Sequence, residues 1–73
     1  MKKPERVRVD YGRLVRAADM TGLSDHRISL DAGYDKGFMC RTLRTVLEYG
    51  GVTETVCRKL EQALHCGREA FTA

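Results

Sequence analysis

Between Tyr11 and Ala18 the apolar side chains fall at Tyr11, Leu14, Val15 and Ala18, the i, i+3, i+4, i+7 spacing that lays a single buried stripe along a helix. Asp10 stands where an N-cap acceptor belongs, and Gly22 where a chain leaves a helix in the left-handed region. A second, shorter helix is predicted after Ser24. Asp25 puts negative charge on its first turn, and Leu23 before the cap pairs with Ile28 as a hydrophobic staple. Gly33 ends that helix. The device then repeats: Asp35 takes a cap position with Tyr34 and Met39 as staple, and Thr53 takes another with Val52 and Cys57.

The third helix, from Lys36, carries Met39, Leu43, Val46 and Leu47 on its inner side and stops at Gly50-Gly51. The last carries Val56, Cys57, Leu60, Ala63 and Leu64 and ends near Gly67. No stretch alternates with period two over a useful length, so no strand is predicted. The pattern points to an all-α fold, a small domain of four to five helices joined by short turns. Residues 1–9, with Pro4 and scattered charge but no core periodicity, are expected to form a flexible basic N-terminal arm, 10–67 the helical domain, and 68–73 a short C-terminal tail.

Composition narrows the class. Seventy-three residues with 42% hydrophobic side chains, one Pro and no Trp suit one small helical unit with a thin core. No apolar run approaches the ~20 residues of a membrane crossing, and the lysines of MKKPERVRVD precede no apolar signal core, so a soluble cytoplasmic protein is expected, with no membrane partner. Cys40, Cys57 and Cys66 are odd in number and widely spaced, which argues against a disulfide framework and a zinc ribbon and for small packed thiols. His26, His65 and Cys66 complete the soft ligand types, but adjacent residues 65 and 66 diverge on a helix, so neither metal nor cofactor is expected. Ser24, Asp25 and His26 stand in triad order, yet consecutive helical residues do not converge, and no phosphate loop or H-E-x-x-H is present. An enzyme is not expected.

The formal charge is only +3, but its placement matters. Residues 1–16 hold Lys2, Lys3, Arg6, Arg8, Arg13 and Arg16 against Glu5 and Asp10, while 17–33 hold Asp19, Asp25 and Asp31 against Arg27 alone. Positive charge returns at Lys36, Arg41 and Arg44. A solvated basic face would look the same, but this placement also suits a polyanionic partner. Two helices joined across Gly33-Tyr34-Asp35 must cross steeply, with Ser29 as the small side chain at the crossing. The second then shows an outer face of Lys36, Gly37, Cys40, Arg41 and Arg44, short near its start and cationic further on, a shape that can enter a DNA major groove. Cys40 shares that face, with a place beside Leu43 as its other option. Phe38 is a candidate for packing under the arm, for touching a thymine methyl or for a protein-binding surface, and Tyr49 for a core cover or dimer contact.

The stretch SDHRISLDAGYDKGFMCRTL resembles helix two, turn and helix three of the Cro and lambda-repressor-like helix-turn-helix domains. Ser29 takes that family's small-residue position, Gly33 its turn glycine, Tyr34 the apolar residue after it, and Met39 the buried residue of the recognition helix; VTETVCRKLEQAL is similar to the closing helix. Thr42 departs from the pattern where a bulkier aliphatic residue is usual, Gly37 is poor for a helix, and RTVLEYGG is a long link.

The resemblance implies a sequence-specific transcriptional regulator of repressor type that binds double-stranded DNA at an inverted-repeat operator as a homodimer, its recognition helix spanning about 36–47. Lys36, Gly37, Cys40, Arg41 and Arg44 would face DNA, with Lys36 and Arg41 at base edges and Arg44 on phosphate. Ser24 and Arg27 would approach the backbone, and Lys2 and Lys3 would act from the arm. Such a protein would be nucleoid-associated. The alternative is a protein-binding module on the same scaffold, an antitoxin half, an antiactivator or an accessory subunit with a regulatory protein partner.

Overall fold

Three short polar side chains start three of the helices. Asp10, Ser24 and Thr53 hold extended backbone and accept the N–H groups of Arg13, Arg27 and Val56, which satisfies amides that have no partner inside the helix. The computed structural model describes residues 6–73, in the order β1 (Arg6–Arg8), α1 (Tyr11–Met20), α2 (Asp25–Asp31), α3 (Phe38–Tyr49), β2 (Gly51–Thr53) and α4 (Glu54–Leu64), closed by one 3-10 turn at Arg68–Ala70. Gly22, Gly33 and Gly50 take positive φ at the ends of α1, α2 and α3, the left-handed exits their positions predict. α4 stops at Leu64, short of Gly67, because His65 takes the left-handed conformation itself.

The fold is mostly helical but not all-α. β1 and β2 pair antiparallel, Arg6 with Thr53, Val7 with Val52 and Arg8 with Gly51. Strands of three residues are too short to display alternation, which is why the pattern hid them. The segment expected as a mobile arm over 1–9 is, from Arg6 onward, a strand, and Val9 is buried. The segment expected as a tail over 68–73 also packs. Phe71 is fully buried, Thr72 bridges Val9, and the Ala73 N–H donates to the Arg8 carbonyl at 3.2 Å. Arg68 fastens this closure by donating to both carboxylate oxygens of Glu54, at 3.0 and 2.7 Å, and to Glu61 at 2.9 Å. The Arg68 bonds hold the Glu54 carboxyl below its ordinary range.

The core runs from Leu14 and Ala18 of α1 through Ile28 and Met39 to Leu60 and Phe71. On α1 and α3 some side chains point otherwise than the spacing suggests. Tyr11, placed in the stripe of α1, is 40% exposed. On α3, Leu47 is 67% exposed and Leu43 only half-buried, while Thr42 goes inside. Its hydroxyl donates to the Phe38 carbonyl at 2.8 Å, so a polar residue sits in the core with its donor satisfied.

Candidate functional site

Two side chains build the corner between α2 and α3. Ser29 is fully buried; its hydroxyl donates to the Asp25 carbonyl at 2.7 Å and accepts the Met39 N–H at 2.9 Å. Gly37 holds the cap position of α3 and has no side chain to offer its open amides. Ser29 supplies the missing acceptor from the neighbouring helix. One oxygen therefore ties the later part of α2 to the first turn of α3.

Asp35 does the second job. Its Oδ1 accepts the Gly37 N–H at 3.1 Å and Nη2 of Arg41 at 2.8 Å. The Arg41 bond, and after it the Gly37 N–H, holds the Asp35 carboxyl below the usual carboxylate range. Asp35 is thus not the N-cap of a helix running from Lys36. It closes a turn onto Gly37, and α3 begins at Phe38. The staple changes as well: Tyr34 stacks on Phe38 rather than pairing with Met39, ring centroids 4.2 Å apart and planes within 5°.

Along α3 the buried side is Phe38, Met39, Thr42 and Val46. Cys40, Arg41 and Arg44 lie exposed on the other side, with Lys36 exposed and Gly37 half-exposed in the turn before them. Positions 37, 40, 41 and 44 follow helical spacing and share one face. Ser24 and Arg27 are exposed at the start of α2; two positions apart on a helix, Arg27 and the Ser29 that bonds α3 face different ways. Lys2 and Lys3 lie outside the described residues. Cys40 faces solvent.

The cations on this surface differ in what they touch. Arg27 pairs with Asp31 at 3.2 Å and Arg41 with Asp35 at 2.8 Å, whereas among the described residues Lys36 and Arg44 have no carboxylate at ion-pair distance. Arg6 reaches the same region from β1. It lines a cavity of about 330 Å³ with Tyr34, Phe38 and Arg41, and its guanidinium stands 4.5 Å from the centroid of the Tyr49 ring. By sequence Arg6 belongs to the arm, and only the sheet brings it to this surface. Asp35 looks like a cap, although an acid two residues before a glycine and six before an arginine is a pattern the sequence displays.

Compared with known proteins, the chain matches no family model, no curated protein and no solved structure. The chemistry of the surface rests on its own atoms. Among the described residues no three His, Cys, Asp or Glu side chains gather as a metal cradle would. Burial pushes the Cys57 and Cys66 thiols up, which leaves them poor nucleophiles. What the corner presents is guanidinium and ammonium donors beside an exposed helix face.

Proposed function

We propose that this protein is a sequence-specific double-stranded-DNA-binding regulator of the Cro and lambda-repressor-like helix-turn-helix kind, with α3 as the recognition helix in the major groove. The observation that carries the reading is the Ser29 link. It fixes the start of α3 on the later part of α2, with Lys36, Arg41 and Arg44 exposed on the outer side and Arg27 exposed on α2. A duplex laid on that corner meets cations at the groove floor from α3 and at the rim from α2. Lys36, which the resemblance put at a base edge, and Arg44, both without acidic partners among the described residues, serve the phosphates. Two copies on an inverted repeat, with half-sites ~10 base pairs apart, give the two-fold arrangement such domains use, and repression follows from occupying the site.

The test is a selection from a random duplex pool followed by titration at several salt concentrations. The selected site should be bound with a steep salt dependence, and Arg44→Ala or Lys36→Ala should each lower the slope by about one while weakening all sequences alike. Absence of salt-sensitive binding, or double-variant binding equal to the parent, sinks the proposal.

A second reading, a protein-binding module, draws on a different face. Ala17, Met20, Leu23 and Leu64 line an open groove of about 620 Å³ next to the exposed Met20. A stoichiometric partner retained in high salt and lost on Met20→Lys would favour it, because apolar contacts are not screened.

A further inference from the structure

Among the described residues, Arg41 is the one cation of the α3 face with a carboxylate partner. Asp35 Oδ1 takes Nη2 at 2.8 Å, and the same oxygen is fixed by the Gly37 N–H at 3.1 Å, so the acceptor belongs to a closed turn rather than a loose side chain. The guanidinium then lies over Gly37. A Cβ placed there would come within 2.8 Å of Arg41 Nη1, while the φ of Gly37, −91°, is one any residue can adopt. The glycine is needed for the space it leaves to the arginine, not for its backbone.

We propose that Asp35 is a positioning residue that turns Arg41 into a reader of guanine instead of a phosphate contact. This assignment rests on the DNA reading given above. Two physical points support it. A guanidinium held at Nη2 by a single bond keeps the rest of its planar fork open, and the fork matches the O6 and N7 acceptors of guanine in the major groove. A carboxylate at 2.8 Å cancels much of the cation's long-range field and repels phosphate, so the pair favours a neutral pair of acceptors over an anion. Lys36 and Arg44 lack such a partner among the described residues and keep their attraction for the backbone. On one surface the acid at 35 sorts the cations into base readers and phosphate binders.

The experiment uses the full chain, a site selected from a random duplex pool, and that site with each base pair replaced in turn. Two variants break the arrangement by different routes. Asp35→Asn keeps an acceptor for the Gly37 N–H and removes the charge, and Gly37→Ala keeps the acid but drives off the guanidinium, whose flexible end can swing away without unfolding the chain. The parent should prefer G·C at one position by roughly tenfold or more, and both variants should lose most of that preference. Asp35→Asn should at the same time bind random duplex more tightly, with a salt slope steeper by about one as Arg41 gains a phosphate. A parent that discriminates while both variants keep its preference and slope overturns the Asp35 assignment alone, as does a parallel fall in affinity for selected and random duplexes, the mark of mere structural damage. A parent that binds no duplex in a salt-sensitive way overturns the DNA reading and this assignment with it.

Discussion

Ser29 uses one hydroxyl in both directions, giving its proton to the Asp25 carbonyl and receiving the Met39 N–H. Replacing it with alanine keeps the close helix approach but strands a buried amide, a loss of ~1–3 kcal/mol. Ser29→Ala should lower the urea midpoint accordingly and speed amide exchange at Met39; a variant with parental midpoint and protection would show the bond to be idle. The size of Ser29 was readable from the sequence, its bonding was not, since the amide it accepts lies ten residues away. Thr42 and Leu47 misled in opposite senses. Helical threonine can hide its hydroxyl on the carbonyl four residues back, so polarity was a poor guide to its direction. Leu47 follows the buried Val46 but turns to the outward side of α3 and is 67% exposed.

The helices were readable wherever their stops and starts are local. Asp10, Ser24 and Thr53 each bond an amide three residues ahead, and the glycine exits need only their own φ. The sheet was not, because its pairing joins residues more than forty positions apart and each strand is three residues long. Gly51 nevertheless carries its trace. A Cβ at that position would collide with the Val7 carbonyl oxygen, and backbone cannot swing aside as a side chain can. Gly51→Ala should therefore part β1 from β2 at a cost of ~1–3 kcal/mol. The readout is loss of amide protection at Val9, whose N–H donates to the Gly50 carbonyl at 3.1 Å, with the protection of α2 unchanged. Equal protection at Val9 in variant and parent would mean the strands do not need that glycine. The start of α3 belongs with the sheet as a non-local feature: Asp35 could be seen as a polar side chain before a helix, but not that Ser29 would take over the capping.

In the molecule as a whole, closure depends on residues that looked dispensable. Phe71 fills the core completely, and Arg68 ties the turn before it to Glu54 and Glu61. The two anchors differ in weight. The Arg68 pairs are half-exposed and worth at most ~1 kcal/mol, whereas truncating a buried phenylalanine costs ~3–5 kcal/mol. For a domain this small that is a large share of an expected ~5–15 kcal/mol. Phe71→Ala should bring the thermal midpoint down far more than Arg68→Ala, and the reverse order would show that the ion pairs, not the ring, close the fold. The proposed corner between α2 and α3 lies elsewhere and was the more readable part, because Ser24, Gly33 and the arginines of α3 belong to one continuous stretch. The contribution of Arg6 was beyond reach without the sheet that carries it.

The bridge from Val9 to Thr72 has a consequence for how the chain comes into being. While a ribosome is still adding the seventies, the strand at Arg6–Arg8 has already emerged, yet the ring that must sit beneath it is inside the exit tunnel. The nascent polypeptide can form its helices during synthesis, but it can bury its centre only after release of that stretch, so a stalled translation product ending before Phe71 should be open to proteases and to chaperones.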